Sequence, residues 1–232
     1  MFILKRILRL ILWLLVFDLA YLVITKWVNP PITITMIESL LTGHGLTRDY
    51  VSFEAMGKQA PLAVISAEDQ LFPSHGGVDW DAIQKAMNYN NNPKHKKVRG
   101  GSTISQQTAK NVFLWQQRSW LRKGLELYHT YLIEWIWGKQ RILETYLNVA
   151  EMGEGIFGIE AAARHYYHKS AAQLSPAEAA SIAACLPNPK RFKPTGGSRY
   201  VTRRKNWIQK QMGHLRNEPD VRKLLLPLNE KK

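Results

Sequence analysis

The sequence has only one cysteine and few acidic residues, and both shortages exclude whole classes of protein. Cys185 by itself excludes an internal disulfide framework and a zinc site built from cysteines. Only 18 acidic residues stand against 32 lysines and arginines, which gives a net charge of +14. This basic excess indicates an anionic partner, either nucleic acid, a phosphorylated substrate or acidic lipid. With 232 residues, 45% of them hydrophobic, the chain is sufficient to bury a core.

Alternating strand patterns and internal repeats are also missing, whereas helix signals occur along most of the chain. Pro61 begins a predicted helix over Pro61–Ala67, and Asp79 is a predicted N-cap. Ser175 to Glu178 is a capping box with proline at the first helical position. Residues 42–48, which include two glycines, are expected to form a loop. A long amphipathic helix is predicted by apolar residues at three- and four-residue steps, namely Leu121, Leu125, Tyr128, Leu132 and Ile136. The predicted fold class is mainly α.

Residues 1–28 are predicted to form a cytoplasmic N-terminus and a transmembrane anchor. Leu10 to Thr25 is apolar except for Asp18 and the closing threonine, and an extension to Ile7–Val28 reaches the ~20 residues that a membrane span requires. A cleaved signal peptide is the alternative, but no small-x-small site follows the apolar core. Three basic residues precede the span and predict that the rest of the chain lies outside the cytoplasm: Lys5, Arg6 and Arg9.

After the anchor, residues 29–60 are expected to be a linker and membrane-proximal segment, and residues 61–232 the main domain with a basic C-terminal tail. From Lys190 to Lys232 there are 13 basic residues and three acidic ones, so this tail carries +10 of the net charge. Such a run is usually a solvated face, but on a tethered domain it also fits anionic lipid headgroups. The anchor argues against nucleic acid as the partner.

Four stretches have residue types suited to chemistry. In the first, Glu68 and Asp69 follow an apolar helix and lead into a turn rich in proline and glycine. Partial burial raises the pKa of a carboxyl group, which suits general acid or base catalysis. Taken alone, a carboxylate pair of this kind is more often solvated at a helix end, and a single histidine such as His75 is more often structural.

The other three stretches are weak individually. Gly100 to Asn111 has two glycines before a helix start with capping-box spacing, where free N–H groups can face an anion. It lacks the Gly-Lys-Ser/Thr of a Walker loop, and an ordinary capped helix is the alternative. Arg122 and Lys123 precede Glu126 at helical spacing, which alone fits a surface ion pair worth a few tenths of a kcal/mol. Lys139 to Asn148 reads as a packing helix.

Taken together and in this order, the four stretches resemble motifs of the peptidoglycan glycosyltransferases, glycosyltransferase family 51. The family pattern Glu-Asp-x-x-Phe-x-x-His-x-Gly matches Glu68 to Gly77, and Gly-Gly-Ser-Thr-Ile-Ser-Gln-Gln matches Gly100 to Gln107. Arg-Lys-x-x-Glu matches Arg122 to Glu126, and Lys-x-x-Ile-Leu-Glu-x-Tyr-Leu-Asn matches Lys139 to Asn148. A further feature, a glycine before an alanine-rich helix and an aromatic pair, covers Gly158 to Tyr167.

The resemblance implies a lysozyme-like, two-lobed fold and polymerisation of lipid II into linear glycan strands. Glu68 then matches the catalytic base, Glu126 a second essential carboxylate near the departing phosphate, and Asp69 an orienting group. The family has basic positions that hold the pyrophosphate of the donor. Three residues of this sequence match or adjoin them, namely Lys110, Arg118 and Lys123. The remaining expected substrate-binding residues are Ser102, Gln106, Gln107, Phe72 and His75.

The resemblance also leaves open whether the enzyme uses a divalent cation, Mg²⁺ or Mn²⁺. No motif requires such an ion, and Glu126 is its candidate ligand. The expected partners are lipid II, the growing glycan strand and membrane lipids, with other cell-wall synthesis or division proteins as candidates and no nucleic acid. Because the sequence lacks Ser-x-x-Lys, no transpeptidase activity is expected. The expected location is the cell inner membrane, with a single span and a periplasmic catalytic domain.

Three competing functions use some of the same features. A peptidoglycan hydrolase shares a helical fold and a catalytic glutamate, but its substrate has no pyrophosphate for a basic cluster to hold. A membrane scaffold needs neither the carboxylate nor the Gly-Gly-Ser motif, and an anchored nucleic-acid binder would use only the basic tail.

An apolar-aromatic patch, Val112–Trp115 with Trp120, suits the membrane interface, and core packing is its alternative.

Overall fold

The computed structural model describes residues 2–94 and 100–226 and divides into two compact units, Met1–Pro31 and Ile32–Lys232. The first unit holds helix α1 (Phe2–Ile24), which in the described ranges is the one helix long and apolar enough to cross a membrane. Its 23 residues extend about 34 Å, longer than the ~30 Å hydrocarbon core. It begins and ends earlier than the predicted span over Ile7–Val28.

The second unit is built mainly of helices, which confirms the predicted class. Two short 3₁₀ turns, Glu54–Met56 and Ala171–Gln173, join longer elements. The helices are α2 (Ile34–Leu41), α3 (Gln59–Glu68), α4 (Trp80–Asn90), α5 (Ile104–Phe113), α6 (Trp120–Ile136), α7 (Lys139–Val149), α8 (Ile159–Tyr167), α9 (Pro176–Cys185), α10 (Arg199–Leu215) and α11 (Pro219–Leu225).

Residues 32–60 belong to this second unit, although the sequence suggested a separate linker segment. Met36 and Met56 are completely buried, and α2 packs against α5. Thr33 caps α2 by accepting a hydrogen bond from the Met36 N–H. The chain therefore begins its compact fold at α2 rather than at residue 61.

The second unit also contains a small sheet of order β1-β3-β2, for which the sequence showed no alternating pattern. Strand β1 (Thr47–Arg48) lies in the predicted loop and pairs in parallel with β3 (Ile156–Phe157), which is antiparallel to β2 (Glu151–Gly153). Strands of two or three residues are too short to show an alternating pattern, so periodicity could not reveal them.

Helix α3 is the central helix of the unit. Every residue from Ala60 to Ala67 is buried, and α3 packs against α9 and α10. A helix that is apolar on all sides belongs inside the protein. It begins at Gln59, before the predicted Pro61, and ends where the backbone of Asp69 leaves the helical conformation. The core thereby fixes the position of Glu68, the last helical residue.

Helix α6 is present as predicted, but the face it buries is not the apolar one. Helix α5 packs against both α6 and α7. The buried residues of α6 are Arg122, Glu126, His129, Thr130 and Ile133. Leu121, Tyr128 and Trp135 are exposed instead. The predicted aromatic patch is split in the same way, because Val112 and Leu114 are buried while Trp120 is 93% exposed.

Candidate active site

Glu68 lies at the C-terminal end of α3, partly buried, with its carboxylate facing α5. Its Oε2 accepts a hydrogen bond of 3.0 Å from Gln107 Nε2, and the Gln107 Oε1 accepts one from the Tyr146 hydroxyl. Burial raises the pKa of Glu68, while the Gln107 hydrogen bond and the positive charges of Arg204 and Lys110 oppose this rise. The site therefore holds a carboxylate whose protonation is balanced between desolvation and stabilising partners.

Asp69 connects the end of α3 to the start of α5. Its carboxylate accepts hydrogen bonds from the Ile104 N–H and from His75 Nε2, each at 3.0 Å. The Gly77 N–H donates to His75 Nδ1, so the proton of the neutral imidazole lies on Nε2, which donates to Asp69. Both side chains thus hold the loop together. His75 has little free surface for the expected substrate contact, because its ring is nearly buried and these bonds engage both of its nitrogens.

Phe72 does not line the site, which corrects its expected role as a substrate-binding residue. Its side chain is fully buried, with 0% exposure, and Lys139 Nζ lies 4.5 Å from the ring centroid. A ring without accessible surface cannot touch a substrate. The aromatic residue in the motif instead anchors the turn that follows Glu68.

The start of α5 has the predicted capping box. The Thr103 side chain accepts from the Gln106 N–H, and the Gln106 side chain accepts from the Thr103 N–H. Gln106 is buried, and because its oxygen is engaged in the cap, its first role is to hold the helix start. Ser102, just before the cap, is exposed and lines the cavities beside Glu68.

Glu126 is the centre of a buried ion cluster rather than part of a surface pair. It is 3% exposed, and its two oxygens accept from Arg122 Nη1 at 2.7 Å and Lys123 Nζ at 2.6 Å. Arg122 is also buried, whereas Lys123 is partly exposed. Buried pairs of this kind depend strongly on both partners. The cluster therefore fixes two cations at the cavity wall.

A cavity of about 560 Å³ brings the expected basic residues together with Glu68 and Glu126. Lys110 projects from α5, Arg118 from the following loop and Lys123 from α6, and all three line this cavity. Burial lowers the pKa of Lys110, and Glu126 opposes that change. The arrangement is a cationic pocket ending at a carboxylate, which suits an anionic group that departs as a nearby hydroxyl reacts.

The donor set does not fit a divalent cation at Glu126. Both carboxylate oxygens already accept short hydrogen bonds from cationic side chains, which repel a metal ion. Across residues 2–94 and 100–226, no cluster of three or more histidine, cysteine or acidic side chains is arranged to hold one. Asp69 is similarly engaged by His75 and Ile104.

Helix α10 contributes residues that no sequence motif indicated. Arg204 Nη2 donates to the Ala67 carbonyl at 2.7 Å, directly beside Glu68. Arg204, Trp207 and Gln211 line a second cavity that Glu68 also lines. The only signal in the sequence is their spacing on one face of an amphipathic helix, which does not say that α10 packs against the end of α3.

Comparisons with known proteins now give the family. A family model described as transglycosylase matches residues 35–213, which covers most of the chain. The chain belongs to the transglycosylase family. Three relatives of this transglycosylase are named biosynthetic peptidoglycan transglycosylase, and together they match nearly the whole chain. The relative from Escherichia coli (strain ATCC 8739) is 47% identical over 225 residues, which are 94% of this chain and 93% of the relative.

The other two relatives agree. The protein from Pseudomonas entomophila is 46% identical over 218 residues, 91% of this chain and 92% of the relative. The protein from Xanthomonas campestris pv. campestris (strain B100) is 49% identical over 195 residues, 81% of this chain and 78% of the relative. The transglycosylase is therefore a glycosyltransferase enzyme, and its helical architecture agrees with the lysozyme-like fold that the motifs implied.

Proposed function

We propose that this transglycosylase acts in peptidoglycan synthesis by polymerising lipid II into linear glycan strands. Lipid II is a disaccharide-pentapeptide on an undecaprenyl pyrophosphate carrier. The observation that carries the proposal is the cavity in which the partly buried Glu68 meets Lys110, Arg118 and Lys123. A catalytic carboxylate beside a cationic pocket suits a sugar donor whose leaving group is a pyrophosphate.

Glu68 acts as the general base in this proposal. The 4-hydroxyl of the acceptor GlcNAc attacks C1 of the donor MurNAc, and its proton passes to the Glu68 carboxylate. The new bond joins O4 to C1, the bond from C1 to the pyrophosphate oxygen breaks, and the configuration changes from α to β. A hydroxyl is a poor nucleophile, and a positioned base typically contributes ~10²–10⁴-fold to the rate. Gln107, which donates to Glu68, keeps the carboxylate oriented.

The basic residues stabilise the leaving group. As the C1–O bond breaks, negative charge grows on the undecaprenyl pyrophosphate, and the cations of Lys110, Arg118 and Lys123 oppose it. Glu126 holds Lys123 and Arg122 at the cavity wall through its two short hydrogen bonds. In this account the negative charge of Glu126 is essential because it positions cations, and Glu126 does not accept a proton.

The membrane location is part of the same proposal. Helix α1 is the single span in the inner membrane, and the basic residues near its start favour a cytoplasmic N-terminus and a periplasmic catalytic unit. The exposed apolar face of α6 contacts membrane lipids, where tryptophan concentrates at the interface. The absence of Ser-x-x-Lys from the 232 residues supports an enzyme without transpeptidase activity.

Lipid II consumption by the purified full-length protein in detergent tests this function. We expect a polymer that appears on a gel and that muramidase digests. A hydrolase would make no polymer and would cut preformed glycan strands instead. That result would remove the pyrophosphate roles of Lys110, Arg118 and Lys123 and would overturn the proposal.

A further inference from the structure

Three cavities meet at Glu68. One, of about 410 Å³, lies beside α4, where Asp79, Asp81 and Lys85 line it, and it has no aromatic ring among its described lining residues. Different elements line the other two. The cations of α5 and α6 line the first, whereas Arg204, Trp207 and Gln211 of α10 line the second, which measures about 750 Å³. Glu68, with Ser102 and Gln107, lines both. The second cavity thus offers a place for a group that approaches Glu68 along α10 rather than along the cations of α5 and α6.

The α10 wall of this cavity is held firmly against the end of α3. Arg204 donates to the Ala67 carbonyl, and its Nε is buried without a hydrogen-bond partner among the described residues. The Arg204 guanidinium lies 4.5 Å from the centroid of the Trp207 ring. Gln211 Oε1 accepts a long hydrogen bond of 3.5 Å from Gln70 Nε2 on the loop after Glu68.

Trp207 is the residue in this wall with the clearest ligand-binding character. It is 41% exposed although it stands beside a catalytic carboxylate, and one side of its ring is covered by a guanidinium. An indole presents a large apolar surface at low cost in conformational entropy. A hexose ring has an apolar C–H face that packs on such a surface, and hydroxyl and acetamido oxygens that accept from guanidinium and amide N–H groups.

The direction of the reaction places the acceptor in this cavity. In an inverting displacement the nucleophile enters on the face of the sugar opposite to the leaving group, with the base on the nucleophile's side. If the pyrophosphate occupies the cationic pocket, the attacking sugar needs a different cavity at Glu68, and of the other two the α10 cavity is the one lined by an aromatic ring. We propose that Arg204, Trp207 and Gln211 form the binding surface for the acceptor sugar, a GlcNAc-containing saccharide, with Trp207 as the stacking platform. This assignment rests on the proposed function.

Binding measurements on the full-length protein in detergent test the surface with two probes. The first probe is the soluble disaccharide GlcNAc-MurNAc, followed by ligand-observed NMR, and the second is undecaprenyl pyrophosphate in detergent micelles. We expect Trp207→Ala to weaken disaccharide binding about tenfold and to leave undecaprenyl pyrophosphate binding unchanged. Trp207→Phe, which keeps an aromatic ring, loses less, and Gln211→Ala also weakens only the disaccharide.

The matched control is Trp80→Ala, since Trp80 is an exposed tryptophan on α4 outside both cavities. Equal disaccharide affinity in Trp207→Ala and Trp80→Ala would overturn the acceptor surface, as would an equal loss of both probes in Trp207→Ala and Gln211→Ala. If wild type polymerises lipid II but its disaccharide binding ignores Trp207, the surface is wrong and the function stands. If wild type makes no polymer but Trp207 governs disaccharide binding, the surface binds a saccharide, but the proposed function is wrong and the acceptor role is wrong with it.

Discussion

At the scale of single residues, the site is organised around the protonation of Glu68. A general base must be ionised to accept a proton, yet burial favours its neutral form and raises its pKa. The hydrogen bond from Gln107 and the charges of Arg204 and Lys110 work in the opposite direction, while Asp69 adds a repulsive charge. Tyr146, which donates to Gln107, in turn orients the amide.

The balance predicts how the pH dependence responds to Gln107. Replacing Gln107 with leucine removes a hydrogen bond to the ionised Glu68, so the pKa of Glu68 rises further and a larger share of the base is protonated at low pH. We expect the acidic limb of the polymerisation rate to move to higher pH, because the ionised form of Glu68 loses one of the partners that hold its pKa down. Rates measured across the acidic range check this.

Gln84→Leu serves as the control, because Gln84 is exposed on α4 and its side-chain amide donates to Asn88 Oδ1. An acidic limb that stays at the wild-type pH in Gln107→Leu would mean that the Gln107–Glu68 bond does not tune the base.

At the scale of elements, helix α6 has two faces with different tasks. Its buried face holds the Arg122–Glu126–Lys123 cluster, and its outer face carries exposed apolar residues, including Trp135 at 82% exposure. Removing one partner of a buried pair leaves an uncompensated charge and costs ~3–5 kcal/mol. We expect Glu126→Gln to lower the free energy of unfolding by about 3 kcal/mol, measured by denaturant titration in detergent.

Glu38→Gln is the comparison variant, since Glu38 is an exposed glutamate on α2. If Glu126→Gln and Glu38→Gln were equally stable, the cluster would not hold the cavity wall, and the loss of activity expected in Glu126→Gln would need another cause.

The outer face of α6 predicts a difference between bilayer and detergent. Replacing Trp120 and Trp135 with serine removes two large exposed side chains that suit the membrane interface, each worth about 1.5–3 kcal/mol when buried in an apolar environment. We expect the double variant to lose at least about tenfold in polymerisation rate in lipid vesicles, and much less in detergent micelles. Trp80→Ser, on another face, should lose activity in neither system; equal losses of the double variant in both would contradict a lipid contact.

Local signals in the sequence predicted much at this scale, and long-range packing accounts for the rest. The capping boxes at Thr103 and Ser175 each involve residues three apart in the chain, so the residue types at those two positions are enough to predict each box. The apolar stripe of α6 predicted a helix but not which face is buried, because periodicity does not identify the neighbour. The contribution of Arg204 depends on α10 packing against α3, residues 137 positions apart at the Arg204–Ala67 bond.

At the scale of the whole molecule, the excess of positive charge lies largely in the C-terminal region. Part of the tail, residues 227–232, lies outside the described residues, but Arg203, Lys210 and Arg216 are exposed on and just after α10. A lysine or arginine near an anionic bilayer surface contributes about 1 kcal/mol of attraction. In a membrane-anchored enzyme we expect this charge to orient the catalytic unit rather than to tether it.

Vesicle composition tests this use of the charge. We expect wild type to polymerise faster in vesicles containing phosphatidylglycerol than in neutral ones. The variant with glutamine at Arg203, Lys210 and Arg216 should lose most of that difference, because the three residues together contribute up to ~3 kcal/mol of attraction to the anionic surface. Added salt should reduce the wild-type advantage. A wild-type rate that is independent of lipid charge would show that the basic region has another role.

The central claim, that Glu68 is the base of a glycosyl transfer, is tested most directly by Glu68→Gln beside wild type, with lipid II polymerisation and thermal unfolding measured on the same preparations. Because folding raises the pKa of Glu68, its ionised form destabilises the native state, and this cost grows as pH rises from the unfolded value of 4.5 through the folded pKa. The account predicts that Glu68→Gln makes at least ~10²-fold less polymer than wild type. At neutral pH it also predicts an unchanged or higher Tm, because the variant lacks the buried charge. Each kcal/mol of stability gained in this way raises Tm by roughly 2–4 °C. A Glu68→Gln enzyme that still polymerises lipid II within tenfold of wild type would contradict it.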